Sequence, residues 1–366
     1  MAWFRVMSIS FVFLAILLHY SLKYLLENDK IFDLSLESLD PRLQSWEQLG
    51  KYHEIFGYQI FGIQSNYSDS GTTFVIIHGY PSSSFEYSYQ AMDTFLNHGH
   101  NYVLHDHLGF GFSDKPLKGF GYSVQDHADI TLRYWHKINL SGDCVLVSHD
   151  MGDSVLTEIL TRYSRNPNAL PPDMKLKHII FTNGGMSLKH YSPKLTQLLL
   201  VSPTTGELFN RLMHAIDPTG RIIKQQLGSV FSKSSKGLHR EHQLDMMVAL
   251  LRYKQGDRLL WKTIRYINDR YACEERWIQG VKEIAMKMNI PISFLWGRDD
   301  PISPPAIPIS VIEKANLTNA NVEIMPNRGH FLMMEDGEGD VWAEMIIKMT
   351  QKKEKRERKD QERDTK

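Results

Sequence analysis

Short apolar segments alternate with helix-like segments over most of this 366-residue chain. From residue 52 onward, the strand-like segments are apolar on both faces, which is typical of strands buried in a parallel sheet. They are residues 52–56 and 58–64, which read as a hairpin around Gly57, and residues 73–77, 102–105, 144–148, 178–182, 292–296 and 322–325. The alternation predicts an α/β fold with a mostly parallel sheet of about eight strands and helices on both faces.

Helix-like patterns fill the spaces between most of these strands. They cover Phe85–Asn97, Val124–Lys137, Ser154–Tyr163 and Val341–Thr350. About 110 residues separate residues 178–182 from residues 292–296, whereas a crossover with its helix can be as short as about 12 residues. This long segment is helix-like and rich in Met, Leu and Arg. We predict a helical lid at residues 187–285, inserted between a first part of the core at residues 43–186 and a second part at residues 286–350.

The charged residues exclude one class of partner. The chain has 42 basic and 42 acidic residues, so its formal net charge is zero. This balance provides no positive field for phosphates, and we expect no nucleic acid partner. Residues 351–366 nevertheless hold 8 basic and 5 acidic residues and are predicted to form a charged, disordered tail. Cys144 and Cys273 are too few for a disulfide framework or a thiolate metal site.

The N-terminal segment has the composition of a membrane anchor. Residues 6–22 contain no formally charged side chain and would extend to about 26 Å as a helix, the low end for a bilayer span. We predict a single-pass signal anchor within residues 1–30. A cleaved signal peptide is the alternative, although no small-x-small cleavage site follows the apolar run. A buried globular helix is disfavoured because the run is apolar on all faces.

The sequence leaves the side of the membrane open. Arg5 on one side of the apolar run is matched by Lys23 and Lys30 on the other. Three Asn-x-Ser/Thr sequons could be glycosylated only in the lumen, and they begin at Asn66, Asn139 and Asn316. They favour a lumenal glycoprotein slightly, since such short motifs often arise by chance.

The segment at residues 145–153 (VLVSHDMGD) is the most informative for function. An apolar strand runs directly into SHDMG and then into a helix-like segment. This is the pattern of a nucleophile elbow, a strained strand-to-helix turn whose neighbours two positions away must be small. Ser148 and Gly152 are the small residues, and Asp150 is central, so the predicted nucleophile is a carboxylate. The alternative interpretation of Asp150 is a helix N-cap.

Three further loops complete this interpretation. HGYP at residues 78–81 follows a strand, and the backbone amides of Tyr80 and Met151 could form an oxyanion hole. The imidazole of His78 itself is expected to tie down its loop. GRDDP and RGH place Asp300 and His330 at the ends of two later strands, where α/β sheets hold their ligand sites. The chain order nucleophile, acid, base is the order expected after such an elbow.

These motifs, together with DHLGFGFSDKP at residues 106–116, resemble the α/β-hydrolase family, in its epoxide hydrolase and haloalkane dehalogenase branch. The resemblance covers roughly residues 43–349. It implies Asp150 as nucleophile, Asp300 as orienting acid, His330 as general base, the amides of Tyr80 and Met151 as oxyanion donors, and no metal or organic cofactor. The group within the family that it favours also implies an N-terminal membrane segment and residence in the endoplasmic reticulum.

The resemblance has one departure and one open assignment. Dehalogenases carry a tryptophan directly after the nucleophile to hold the halide, whereas Met151 has no such N–H donor, so dehalogenation is disfavoured. Epoxide hydrolases use two lid tyrosines to protonate the leaving oxygen. The candidates here are Tyr191, Tyr253, Tyr266 and Tyr271.

The predicted substrate is an apolar small molecule or lipid. A lid that contains several methionines suits such a molecule, and the nearby bilayer would supply it; the methionines are Met186, Met213, Met246 and Met247. Two other functions remain open from the sequence. One is ester hydrolysis or acyl transfer on a lipid, and the other is a catalytically silent protein with a hydrolase fold.

Overall fold

The computed structural model of the protein describes residues 34–65, 71–217, 219–235, 237–335 and 340–351. Within them, eight strands form one sheet in the order β1-β2-β4-β3-β5-β6-β7-β8. The strands are β1 Lys51–Ile55, β2 Tyr58–Gln64, β3 Thr73–Ile77, β4 Asn101–His105, β5 Gly142–His149, β6 Met174–Thr182, β7 Ile292–Gly297 and β8 Asn321–Met325. Every predicted strand is present, with bounds that differ by no more than a few residues.

The sheet is antiparallel only at one edge. Strands β1 and β2 form the predicted hairpin, and β2 pairs antiparallel with β4. Phe56 and Gly57 in the hairpin turn have φ values of 51° and 82°, the left-handed conformation that a two-residue hairpin requires. All strand pairs from β4 to β8 are parallel, which confirms the mostly parallel sheet.

The helices that flank the sheet begin and end close to their sequence signals. They are α1 Pro41–Leu49, α2 Ser88–Asn97, α3 Val124–Lys137, α4 Met151–Arg165, α11 Ala306–Ala315 and α12 at residues 340–351. Ser123 starts α3 with a capping box, because its hydroxyl accepts the amide of Asp126 while the carboxylate of Asp126 accepts the amide of Ser123. The segment predicted as one helix from Phe85 is divided into a 3-10 turn at Ser84–Tyr87 followed by α2.

The long insertion after β6 is helical, as predicted. Its helices are α5 Leu195–Val201, α6 Gly206–Ile216, α7 Arg221–Gly228, α8 Leu238–Arg252, α9 Leu260–Thr263 and α10 Tyr266–Lys287, with a 3-10 segment at Tyr253–Leu259. Helix α10 belongs to two parts of the molecule. Its first residues lie over the end of β5, whereas its later residues pack on α4, where Trp277 donates a hydrogen bond to Glu158 at 2.7 Å. The predicted lid boundary after residue 285 falls inside this helix.

The strand ends bring the predicted catalytic loops to one edge. Ile77 at the end of β3 pairs with Ser148 in β5, and His149 pairs with Thr182 in β6. Gly297 at the end of β7 pairs with Met325 at the end of β8. Because parallel strands share the same direction, the loops that follow β3, β5, β6, β7 and β8 meet above this edge.

Several predictions concern residues outside the described ranges. The anchor at residues 1–30, residues 352–366 of the charged tail and the Asn66 sequon are among them. Among the helices that the structure describes, none has the length and apolarity needed to cross a bilayer. Asn139 and Asn316, the other two sequon residues, are exposed.

Candidate active site

The turn after β5 holds Asp150 in a strained backbone conformation. Its φ of 47° and ψ of −109° lie in a region that residues other than glycine rarely adopt. The turn packs tightly on β3, since a Cβ atom at Gly152 would lie 2.4 Å from the carbonyl oxygen of Ile77. The side chain of Asp150 makes no capping hydrogen bond to α4. The elbow pattern therefore describes this turn, and the helix-cap alternative does not.

Three donors surround the carboxylate of Asp150, a residue that is 2% exposed. Its Oδ2 atom accepts hydrogen bonds from the amide of Tyr80 at 3.2 Å and from the hydroxyl of Tyr266 at 3.3 Å. Its Oδ1 atom accepts one from Nη2 of Arg270 at 3.2 Å. Burial by itself would raise the pKa of Asp150, but the positive charge of Arg270, then His330, lowers it below the usual value. Asp150 is thus ionised at neutral pH, as a nucleophilic carboxylate must be.

Arg270 is the main site residue that the sequence analysis missed. It is 1% exposed, and its Nη2 atom also donates to the carbonyl oxygen of Asp150 at 2.7 Å, while Nε donates to the hydroxyl of Ser154 at 2.8 Å. Its guanidinium carbon lies 4.6 Å from the ring centre of Tyr266 and 4.9 Å from that of Tyr191, within the range of a cation–π interaction. The lid thus brings a buried cation to the elbow.

The sequence contains one indirect indication of Arg270, which is a pair of adjacent glycines that leave room for its side chain. Gly184 and Gly185 follow β6, and a Cβ atom at Gly185 would lie 2.3 Å from Nη1 of Arg270. A Cβ atom at Gly184 would lie 1.9 Å from the carboxylate of Asp153. Glycine is needed here because large polar side chains approach the backbone closely. Adjacent glycines after a core strand therefore indicate such an approach, although they do not identify the side chain.

The loops after β7 and β8 place Asp300 against His330. Oδ2 of Asp300 lies 2.8 Å from Nδ1 of His330, and Oδ1 accepts the amides of Ile302 at 2.8 Å and Ser303 at 2.9 Å. The fixed carboxylate holds the proton on Nδ1 and leaves Nε2 for proton transfer. Burial alone would lower the pKa of His330, but the charge and hydrogen bond of Asp300, with a further contribution from Asp150, raise it to about 9.

Buried polar side chains connect the loop that carries His330 to the HGYP loop. Nε2 of His149 donates to the carbonyl oxygen of His330 at 2.9 Å, and Nδ1 lies 3.2 Å from a carboxylate oxygen of Glu86. Glu86 also accepts the amide of Gly79 in the HGYP loop at 3.3 Å. Asn183 donates to the carbonyl oxygen of His330 at 2.9 Å. The loop that carries His330 and the HGYP loop are therefore positioned by the same network, whose members the sequence analysis did not identify.

The HGYP loop is held as expected by the imidazole of His78. Its Nδ1 atom lies 2.8 Å from the carbonyl oxygen of Gly79, and its Nε2 atom accepts the amide of His107 at 2.9 Å. A Cβ atom at Gly79 would lie 2.8 Å from Cβ of Asp150, so glycine permits the loop to approach the elbow. The amide of Tyr80 consequently reaches the carboxylate of Asp150. Met151 is the first residue of α4, where helix amides have no partner within the helix.

The structure brings two of the four candidate tyrosines to Asp150. Tyr266 donates to the carboxylate, and Tyr191, which is 8% exposed, faces the same guanidinium. Burial raises the pKa of Tyr191 to about 12 and raises that of Tyr266 well above its usual value, so both phenols keep their protons at neutral pH. Tyr253 lies instead against Phe112 and Lys115. Tyr271 is 61% exposed.

The phase of α10 explains why Tyr266 and Tyr271 differ. Residues four apart lie on one face of a helix, so Tyr266 and Arg270 point together toward Asp150. Tyr271, five residues after Tyr266, is rotated by roughly 140° and faces solvent. The proposed roles of Tyr253 and Tyr271 as proton donors are thus incompatible with where these side chains lie.

A mostly apolar cavity of about 120 Å³ leads from the lid to the site. Core residues, among them Tyr80 and His330, line its inner end, and lid residues line most of the rest, including Leu200, Phe209, Met213 and Leu227. Of the four methionines singled out from the sequence, Met213 lines this cavity, whereas Met186, Met246 and Met247 are buried in the core. Among the residues that the structure describes, no group of three or more His, Cys, Asp or Glu side chains is arranged to hold a metal ion.

Comparison with known protein families gives a match over most of the chain. A family model described as alpha/beta hydrolase fold matches residues 72–337. The mesoderm-specific transcript protein of Mus musculus is 30% identical over 311 residues, which are 84% of this chain and 88% of that protein. The putative hydrolase LipZ of Mycobacterium tuberculosis is 30% identical over 295 residues, 81% of this chain and 94% of that protein.

The resemblance seen in the motifs is thereby confirmed. The stretches LGFGFSDKP, SHDMGD and TNGG, and the lid segment around residues 266–277, already resemble the mesoderm-specific transcript protein. Similar solved structures include the Cif epoxide hydrolase of Acinetobacter nosocomialis (17% identity, TM-score 0.61, 82% of this chain and 88% of that one). The haloalkane dehalogenase DatA of Agrobacterium tumefaciens is also similar (17% identity, TM-score 0.62, 83% and 96%). At these identities the structures show the fold alone.

The raised pKa of His330 can be measured directly. In an NMR titration of the free protein we expect the imidazole to lose its proton near pH 9, because it faces the carboxylates of Asp300 and Asp150. Asp300→Asn should lower this pKa the most, and Asp150→Asn should lower it by a smaller amount, since each removes a negative charge. An imidazole that titrates at or below about 6.5, the value of an unperturbed histidine, would contradict the proposed geometry.

Proposed function

The chain belongs to the α/β-hydrolase fold family and is a hydrolase, and we propose that Asp150 is its nucleophile in an epoxide-hydrolase-like reaction on an apolar substrate. One observation carries the proposal. The residue at the apex of the elbow is a buried, ionised carboxylate whose Oδ2 atom lies 3.3 Å from the hydroxyl of a lid tyrosine. A nucleophile and a proton donor thus face the same small volume, as the opening of a strained ring requires.

In the first step, a carboxylate oxygen of Asp150 attacks an sp³ carbon of the substrate. The carbon–oxygen bond of the ring breaks, and its oxygen takes a proton from Tyr266 or Tyr191. The product is an ester between Asp150 and the substrate. The carboxylate loses its charge in this step, so one of the negative charges that keep His330 protonated disappears, and its pKa falls. His330 then gives up its proton, which passes to the tyrosinate through water, so the phenol is restored and the imidazole is neutral before the second step.

In the second step, Nε2 of His330 takes a proton from water, and the hydroxide attacks the carbonyl carbon of the ester. The negative oxygen that develops is stabilised by the amides of Tyr80 and Met151. The ester bond then breaks, which releases a diol and restores the Asp150 carboxylate. Asp300 holds the imidazole in the tautomer that this transfer needs and stabilises its positive charge.

Two observations favour epoxide opening over dehalogenation and over ester hydrolysis by a serine. The residue after the nucleophile is Met151, which has no N–H donor for a halide, so we do not propose dehalogenation although a haloalkane dehalogenase is among the similar structures. The hydroxyl of Ser148 donates to Asp153 at 2.6 Å, away from His330, so the elbow presents no serine nucleophile. An apolar cavity of about 120 Å³ suits an apolar substrate.

Substitution of the nucleophile and the base separates the two steps. We expect Asp150→Asn to abolish turnover of an epoxide panel, because an amide does not attack. His330→Gln should retain the first step and accumulate the ester, visible by intact-mass spectrometry as the protein mass plus one substrate. Asp299→Asn is the matched control, since Asp299 accepts the hydroxyl of Ser232 outside the site. Labelling of a serine by a fluorophosphonate, with loss of lipid ester turnover on its removal, would instead support the ester-hydrolase alternative.

The position of Tyr266 predicts a step-specific defect. Tyr266→Phe should slow formation of the ester by roughly 10²–10⁴-fold, the range of a general acid, and leave hydrolysis of the ester unchanged. Tyr271→Phe removes an exposed hydroxyl from the same helix and should leave both steps intact. Single-turnover kinetics resolves the two steps, and equal rates for Tyr266→Phe and the wild type would exclude Tyr266 as the donor.

We also propose that residues 1–30 anchor the protein in the membrane of the endoplasmic reticulum. The uncharged run at residues 6–22 supports this, and the two described sequon residues, Asn139 and Asn316, are exposed. The protein should resist carbonate extraction from membranes, and removal of residues 1–30 should release it. Carbonate-soluble wild-type protein would contradict the anchor. Loss of mass on glycosidase treatment, absent in Asn139→Gln/Asn316→Gln, would place the catalytic domain in the lumen.

A further inference from the structure

A second cavity of about 250 Å³ lies beside the apolar one, between the lid and the core segment that contains Leu117 and Lys118. Four cationic side chains line it, and they come from three separate segments: Lys118, Arg211, Arg258 and Lys262. Glu207 is the carboxylate among its lining residues, and it pairs with Arg211 at 2.5 Å. The lining therefore carries a formal charge of +3, although the whole chain has a net charge of zero.

Two of the four cations in this basic pocket, Arg258 and Lys262, are partly buried and held by hydrogen bonds, whereas Lys118 and Arg211 are exposed at its mouth. Nζ of Lys262 donates to the carbonyl oxygen of Leu117 at 2.6 Å and lies over the rings of Trp261 and Tyr122. Nη1 of Arg258 donates to Gln255 at 2.8 Å. Burial and the nearby Arg265 both lower the pKa of Lys262, while Glu207 acts in the opposite direction.

Helix α6 forms a wall that the basic pocket and the apolar cavity share. Glu207 and Arg211 on α6 face the basic pocket, whereas Phe209 and Met213 on the same helix face the apolar cavity. Asn210 and His214 line both. Asn210 is fixed between the amide of Trp261 and the carbonyl oxygen of Asp257, at 2.9 and 2.8 Å. The two cavities thus adjoin at Asn210 and His214, and the apolar one continues from there to Tyr80 and His330.

We propose that the basic pocket binds the phosphate headgroup of an amphiphile whose apolar chain occupies the adjoining cavity. Two guanidinium groups and two ammonium groups match a phosphate monoester better than a single carboxylate, because the monoester carries up to two negative charges and three strong acceptor oxygens. The apolar cavity begins beside the pocket and is lined by aliphatic and aromatic side chains, which suit an alkyl chain.

This inference rests on the proposed function in one respect, which is the position of the reactive carbon. The headgroup is held in the basic pocket, and the apolar chain extends from there through the apolar cavity toward Asp150. The electrophilic carbon therefore lies along the chain and not next to the headgroup. The substrate class is then an anionic amphiphile that carries an epoxide or a similarly activated carbon on its apolar chain.

Binding can be tested without turnover. The probe is dodecyl phosphate below its micellar concentration, measured by calorimetry on the full chain and on Asp150→Asn. We expect it to bind more tightly than inorganic phosphate or a neutral dodecyl glycerol ether. Arg211→Gln/Lys262→Gln should weaken dodecyl phosphate at least 10-fold without changing the affinity for the neutral ether. Lys282→Gln/Lys287→Gln on α10, which removes the same charge elsewhere, should have no effect.

Three results would overturn the proposal. The first is unchanged binding of dodecyl phosphate to Arg211→Gln/Lys262→Gln. The second is inorganic phosphate that binds as tightly as dodecyl phosphate, which would indicate a site for the free anion. The third is equal weakening of the neutral ether, which would indicate a general disturbance of the lid. Failure of the epoxide chemistry leaves all three measurements intact, so the two proposals fail separately.

Discussion

A buried, ionised carboxylate at the end of β5 is the constraint on which the rest of the site depends. Moving such a charge out of water costs several kcal/mol unless a cation and hydrogen bonds offset the loss. Here the offset comes from outside the core, because Arg270 on the lid helix α10 bonds both the carboxylate and the backbone of Asp150. Removal of one member of a buried pair of this kind typically costs about 3–5 kcal/mol. The lid is therefore coupled electrostatically to the sheet that it covers.

The same charges link the two halves of the proposed reaction. Asp150 contributes to the high pKa of His330, and Asp300 contributes more. An imidazole that holds its proton cannot act as a base. When Asp150 becomes an ester, its charge is lost, and the imidazole is released toward its basic form just when a base is required. The arrangement thus favours ester formation before water activation.

The lid also determines which substrates reach this charge. Helix α10 covers Asp150 with Tyr266 and Arg270, so access comes through the apolar cavity on the other side of Tyr80 and His330. Helix α6 lines both that cavity and the basic pocket, and it presents apolar residues to the first and charged residues to the second. The zero net charge of the whole chain does not show this difference between the two cavities, because acidic residues elsewhere balance the cations of the basic pocket.

The sequence by itself determined the sheet, the elbow and the identity of the residues that its loops present. These features depend on local signals: apolar segments of strand length, small residues two positions either side of Asp150, and a glycine in each loop that approaches the elbow. Strand direction then places Asp150, Asp300 and His330 at one edge, because parallel strands end together. The placement of the triad was therefore predictable from order and spacing alone.

Only the tertiary structure decided which distant side chains surround the triad. Arg270 lies 120 residues from Asp150 in the chain and reaches it through the packing of α10 on α4. The phase of that helix selects Tyr266 and excludes Tyr271, and the fold of the lid sends Tyr253 elsewhere. Glu86 and His149, and the four cations of the basic pocket, likewise meet only after folding. Local patterns describe the elements, but contacts between elements depend on how helices rotate and pack, which no short stretch of sequence records.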